Sequence, residues 1–314
     1  MLSRRSIRVK VMQSLYTFEQ DPDISFSILE KNLTKNIEAS YKAYSYNLLL
    51  ISKIAEYSCK DAAIKASKLL PSEKDLQVST KIFHNPVIQS LIQNKTFKEY
   101  IEKEKLHLIS DQDLIMQLYK ELVKDKTYQE YCSLAEGEIS KEKHVVLVLN
   151  LYNKIMLKND LFYQHLEDVF PSWIDDKEQV AKAVQESIQS IKQEASLNLL
   201  SIKDFSEETA FAKDLLKLAI EHNQIFVDLI SPKVQNWEVD RIAKIDMILM
   251  KMALTEMLYF TYVPIKVSIN EYIDISKIYS TPKSKDFING IMDKMMKELK
   301  EDGKIVKMGR GLQE

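Results

Sequence analysis

The chain has 314 residues, 45% apolar and 29% charged, with a net charge of -2. That balance builds a globular core in one large or two smaller domains, and it leaves no molecule-wide field for a polyanion, so any nucleic-acid site has to be a local patch. Its five glycines, three of them (Gly303, Gly309 and Gly311) near the end, exclude glycine-rich nucleotide loops and a sheet fold with many tight turns.

The opening residues, Met1-Leu-Ser-Arg4-Arg5-Ser-Ile-Arg8, carry charge with no apolar run behind it and do not read as a signal peptide. Residues 3–20 read as a helix with Ile7, Val11, Leu15 and Phe18 on one stripe, Met12 beside it and Ser3 as cap. Arg4, Arg5, Arg8 and Lys10 are its only charges before Glu19. Cations at a helix start oppose the macrodipole. They also gather guanidinium groups and free backbone N–H groups at one spot, which suits phosphate. A solvated charged face explains the same residues.

Asp21-Pro22-Asp23 breaks the chain. Residues 24–69 read as one long helix striped by Ile28, Leu33, Ile37, Tyr41, Tyr44, Leu48, Ile51 and Ile54. Pro71 to Pro86 reads as a linker. Shorter helices are expected over 87–95, 96–107, 110–124, 127–136, 140–158 and 159–168. The apolar run Val145 to Leu151 is better read as helix than strand, since it has helical flanks and no partner strand. After the break at Phe170-Pro171, helices are expected over 175–193 and 206–231.

Cys59 and Cys132 read as buried free thiols of a reducing cytosol, and the five histidines stand alone, without metal-ligand spacing. No Ser-His-Asp or Cys-His set is recognisable, and no apolar run approaches the roughly 18 residues of a membrane span.

From Trp237 onward Ile242, Ile245, Leu249 and Met252 recur at helical steps, with Asp246 as cap of a helix reaching Phe260. Pro264 stops it, and Ser268-Ile-Asn-Glu271 reads as the capping box of the next helix. A last helix is expected after Thr281 as cap and Pro282 at its first position, with Ile288, Ile291, Met295 and Leu299 buried. Gly290 in its middle costs about 1 kcal/mol against Ala, which suggests close approach of another backbone. Residues 303–314 read as a flexible tail.

The C-terminal hundred residues resemble the NusB family. Phe211-Ala-Lys-Asp214-Leu215 is similar to a Phe-x-x-Asp-Leu helix start. Asp240-Arg241 through Asp246, with Ile248-Leu249, Ala253 and Glu256, resembles the family's central helix pair. Val263-Pro264-Ile-Lys-Val267-Ser-Ile269-Asn270-Glu271 and Phe287-Ile-Asn289-Gly290-Ile-Met-Asp293 resemble two further family segments, with Lys277, Tyr279 and Ser284 in register between them. Arg4-Arg5-Ser-Ile-Arg8 and Gln13-Ser-Leu15-Tyr16 resemble the family's opening, although Ser6 and Val9 stand where an Arg and an acid are common. Residues 24–205 have no counterpart in that pattern and make the chain about twice the compact family size.

The resemblance implies an all-α fold, a pair of helical bundles, with an additional inserted helical region. The segments expected are 1–23 (first helix with a basic RNA-binding start), 24–205 (long helix and extra region), 206–302 (family core) and 303–314 (tail). It implies a cytoplasmic, non-catalytic transcription antitermination factor with no cofactor and no metal. Such a factor binds boxA-like single-stranded RNA of the ribosomal leader together with NusE, a small ribosomal subunit protein. Through them it meets the RNA polymerase antitermination complex, and it engages no membrane.

Single-stranded RNA wants cations for phosphate and flat side chains for bases. Arg4, Arg5, Arg8, Lys10 and Lys283 would supply the first, with Ser284 and Asn289 beside them. Phe287 is either a base contact or core, and Tyr16 reads as packing or as a partner contact. Glu256 and Glu271 read as inter-helix and cap residues. The competing class is a helical protein-interaction scaffold that has lost RNA binding. An RNA cytosine methyltransferase carrying a similar helical domain would need a glycine-rich cofactor domain, which these 314 residues lack.

Overall fold

In a computed structural model, residues 4–190, 202–234 and 243–312 are described. All the regular structure among them is helical. The chain divides into two compact units, Glu38–Ile202 and Ser3–Ile37 with Lys203–Glu314.

The first unit is built from one contiguous stretch. Helix α2 (Phe26–Ala66) brings Tyr44, Leu48, Ile51 and Ile54 into its core. A short α3 (Glu73–Leu76) falls in the expected linker and carries a capping box between Ser72 and Asp75. Then come α4 (Pro86–Gln93), α5 (Lys95–Lys103), α6 (Gln112–Lys124), α7 (Lys126–Ser133), α8 (Lys141–Asn150), α9 (Asp160–Val169) and α10 (Trp173–Ser190). Most starts are set by side-chain caps: Asn85, Asn94, Asp111, Asp125, Ser140 and Asn159 each accept a backbone N–H of the following turn. The apolar run at Val145 is helical and passes into a π-helical stretch, Leu151–Met156. Cys59 and Cys132 are free thiols, each half-buried.

The second unit is made from the two ends of the chain. It comprises α1 (Arg4–Gln20), the first turns of α2, α11 (Ile202–Glu221), α12 (Asn223–Ile230), α13 (Lys244–Tyr259), α14 (Ile265–Tyr279) and α15 (Ser284–Glu301). Its core takes Ile7, Val11, Met12 and Leu15 from α1, Leu29, Leu33 and Ile37 from α2, Phe211, Leu215 and Leu216 from α11, and Ile288, Met292, Met295 and Leu299 from α15. The long helix therefore does not start a separate region at residue 24, because its first stripe is core of this unit. Ile28 is exposed, and Leu29 fills the buried place expected for it. Residue 222 interrupts the helix expected over 206–231.

Helix α13 is the hub. A single apolar face is expected of it, yet Ile248 to Met257 are all buried, the pattern of a helix enclosed on every side. Its start also differs from expectation. Ala243 stands at the N-cap without a side-chain bond, and Asp246 lies inside the first turn. Asp246 instead accepts the hydroxyls of Ser280 (2.6 Å) and Ser284 (2.7 Å), tying α13 to the α14–α15 connection. Likewise α14 begins at Ile265 after Pro264, so Ser268 and Glu271 lie within the helix and form no capping box. Helix α15 begins at Ser284, two residues past Pro282. Gly290 is exposed, and nothing lies within 4 Å of where its Cβ would be; no other backbone approaches it. Trp237, Asp240, Arg241, Ile242 and Ser3 lie outside the described residues.

Candidate nucleic-acid interface

The buried hub dictates the fate of the N-terminal cations. A charged side chain inside an enclosed helix needs a paired and hydrogen-bonded partner. Glu256, fully buried in α13, accepts two bonds from the Arg8 guanidinium, Nε at 2.7 Å and Nη2 at 2.9 Å. It also accepts the hydroxyls of Ser268 (2.7 Å) and Tyr272 (2.6 Å). Arg8 is 2% exposed. Burial alone would lower its pKa, but the bonds to Glu256 outweigh that and raise it further. Tyr272, buried and facing Glu256, has its pKa pushed well up by desolvation and by that carboxylate. Lys251, a buried cation of α13, pairs with Glu19 of α1 at 2.6 Å. Two charge pairs thus fix α1 on the hub.

The four N-terminal cations accordingly part company. Arg8, expected to reach phosphate, is spent inside the core, and Lys10 is equally buried at 2%. Arg5 is half-buried and bonds Glu271 (2.9 Å) and Asp274 (2.8 Å) on α14; its pKa is raised, chiefly by the hydrogen bond to Glu271. Glu271, expected to act as a cap, is this ion-pair partner instead. Arg4 alone of the four is exposed. Its guanidinium carbon lies 5.0 Å from the centre of the Phe211 ring and 5.4 Å from that of Tyr262, the geometry of a cation held over aromatic faces. It has no carboxylate partner among the described residues.

At the start of α15, Lys283 and Asn289 are exposed, while Phe287 is half-buried and packs against the core. Ser284 is 1% exposed and bonds Asp246 and Thr281, so its hydroxyl orients the turn and does not face solvent. Tyr16, on α1, is 41% exposed. Lys283, Phe287 and Asn289 fall at the start of α15, Phe287 and Asn289 on different faces of it, while Arg4 and Arg5 stand at the start of α1. Arg5 meets Asp274 six residues before Ser280, about 9 Å along α14 at helical rise. Phe211 and Tyr262, which hold Arg4, were not visible in the sequence as site residues, because nothing local links them to residue 4.

The end of the chain also departs from expectation. Lys307 Nζ donates to the carbonyl oxygens of Glu256 (3.0 Å) and Phe260 (2.9 Å) at the C-terminus of α13, where a basic side chain satisfies orphan acceptors. Burial pulls its pKa down to about 8, against a smaller opposing pull from Glu256. Residues 304–312, expected to be mobile, are thereby laid against the α13–α14 connection.

Among the described residues, no three His, Cys, Asp or Glu side chains come together to hold a metal ion, and no helix is long and apolar enough to cross a membrane.

An all-helical protein organised about one enclosed helix, with a cation-bearing N-terminal helix locked to it, is the class these features define. Within that class the chain belongs to the NusB family. The family model matches residues 169–297. A transcription antitermination protein NusB of Salinibacter ruber is 38% identical over 142 residues, covering 44% of this chain and 89% of that protein. Its namesake from Chloroherpeton thalassium is 46% identical over 102 residues, 32% of this chain and 48% of that protein. The one from Geobacter sulfurreducens is 36% identical over 94 residues, 30% and 68% respectively. No solved structure matches. The family match takes in α10, which is expected in the extra region over 24–205, and leaves α1 outside it.

Proposed function

We propose that the protein is an RNA-binding transcription antitermination factor that takes a boxA-like single strand of the ribosomal RNA leader together with NusE, and so helps keep RNA polymerase processive. The relatives' shared name and the family membership support the role. The observation that carries RNA contact is Arg4: an exposed guanidinium, already desolvated on one side by Phe211 and Tyr262, with no carboxylate partner among the described residues. In this reading Arg4, Lys283 and the outer edge of Arg5 take phosphates, while Phe287 and Asn289 offer a ring edge and an amide to a base. Arg8, Lys10 and Ser284 act by positioning. Tyr16, exposed on α1, is assigned to the protein partner. No reaction and no cofactor belong to this reading.

The test is a fluorescence anisotropy titration of boxA RNA and a scrambled strand, each with and without NusE. Preferential boxA binding that tightens with NusE is expected; equal and negligible binding in all four arms would overturn the proposal. One observation favours a second reading, a protein-interaction scaffold without RNA affinity: of the four N-terminal cations, Arg8 and Lys10 are buried and Arg5 is ion-paired. Binding to labelled NusE in a separate anisotropy titration, with no binding of either RNA, would select it.

A further inference from the structure

The docked C-terminal segment lies beside the aromatic that holds Arg4. Helix α15 closes with the two bonds of a Schellman turn, Gly303 N–H to Lys300 O and Lys304 N–H to Leu299 O, both 3.0 Å, with Gly303 at φ +65°. The chain then returns to the α13–α14 connection. Lys307 bonds the end of α13, and Met308 N–H donates to Thr261 O at 2.9 Å. A short 3-10 turn, Gly309–Leu312, follows. Gly311 is buried there, and a Cβ on it would be driven into the Thr261 carbonyl. Glycine at 311 is therefore a condition of the backbone contact. The next residue along that connection is Tyr262, 46% exposed, whose ring lies under the Arg4 guanidinium.

Arg310, one residue before the Gly311 contact, is exposed and has no carboxylate partner among the described residues. Lys307 is occupied by carbonyls and Lys304 pairs with Asp302 at 2.8 Å, so among the described residues Arg310 is the cation this segment leaves for a ligand. We propose that the docked C-terminal strap is part of the RNA surface, with Arg310 taking a backbone phosphate of the same single strand that Arg4 contacts and Tyr262 standing between the two. The proposal rests on the RNA-binding reading above and adds residues to that site from the far end of the chain. Cations placed along a track with an aromatic face among them are what single-stranded RNA recognition requires. Arg4 lies over the Tyr262 ring, and Met308 and Gly311 on either side of Arg310 meet Thr261 next to it, so both ends of the chain come to the same connection.

The experiment is an anisotropy titration of the full chain with labelled boxA RNA across a range of salt concentrations. It uses the unaltered protein, Arg4→Ala, Arg310→Ala and Gly311→Ala, each checked by thermal unfolding. Arg310→Ala should lower the salt slope by about 0.7, or about fivefold in affinity at roughly 0.1 M salt. Gly311→Ala keeps every charge but lifts the strap, and should weaken binding as well. If Arg4→Ala weakens binding while Arg310→Ala changes neither slope nor affinity, the strap proposal falls and the RNA reading stands. If Arg310→Ala acts but a folded Gly311→Ala does not, charge alone matters and the docked geometry is refuted. If the unaltered protein binds no RNA, both readings fall together.

Discussion

Arg4 and Arg8 are one turn apart on one helix and chemically identical, yet one is exposed and the other is buried. Both guanidinium groups lie over aromatic rings, Phe211 and Tyr262 for Arg4 and Phe211 and Tyr272 for Arg8, and the difference is the fully buried carboxylate of Glu256, which pairs with Arg8. Removing one member of a buried pair leaves the other charge uncompensated, whereas replacing both with apolar groups is often tolerated. Arg8→Ala should therefore cost about 3–5 kcal/mol in a urea titration, and Arg8→Met combined with Glu256→Leu should recover much of that. Arg4→Ala should leave the urea midpoint almost unmoved and reduce the salt slope of RNA binding by about 0.7. A cluster of N-terminal cations was legible in the sequence; their different surroundings were not. Arg8 and Glu256 are 248 positions apart, and no local pattern tells a paired arginine from a free one.

At the scale of the element, helix existence was easy to read and helix starts were not. The 3.6-residue periodicity and the prolines place nearly every helix, because burial of one face and loss of a backbone donor are local facts. Asp246, Ser268 and Glu271 look like caps, but Asp246 ties α13 to the α14–α15 connection, Ser268 reaches Glu256 on α13, and Glu271 reaches Arg5 on α1. Cap-forming residue types are also the types used to tie helices together, so the sequence alone could not separate the two uses. Gly290, with open space around it in the exposed middle of α15, has no packing reason. Gly290→Ala should stabilise the chain by about 0.5–1 kcal/mol, read as a raised urea midpoint. In the first unit, Tyr46 bonds His165 at 2.6 Å and Tyr131 bonds His144 at 2.8 Å. Burial lowers the pKa of both histidines below the ordinary 6.5. The folded chain then binds fewer protons there than the unfolded one, so this contribution is present above about pH 6.5 and is lost as pH falls below it. A double His→Gln variant should show a flatter urea midpoint between about pH 7.5 and pH 5 than the unaltered protein.

At the scale of the whole molecule, the all-helical fold and the family were legible because they depend on patterns confined to single segments. The partition was not. The second unit is assembled from residues 3–37 and 203–314, and the boundary runs through the continuous helix α2, where no change of composition marks it. That partition has a consequence during synthesis. Ile7, Val11 and Leu15 of α1 bury themselves against a hub whose Glu256 emerges 248 residues after Arg8. At roughly 5–20 residues per second, the ribosome leaves that apolar stripe without its partner for about 12–50 seconds. The contiguous first unit, Glu38–Ile202, can meanwhile complete its own core on the nascent chain. Ribosome-bound chains stalled after residue 202 should thus show a protease-resistant first unit while α1 is still cleaved, and both should resist once the full chain is released. A trigger-type chaperone that shields apolar stretches would have its natural window on this protein in that interval.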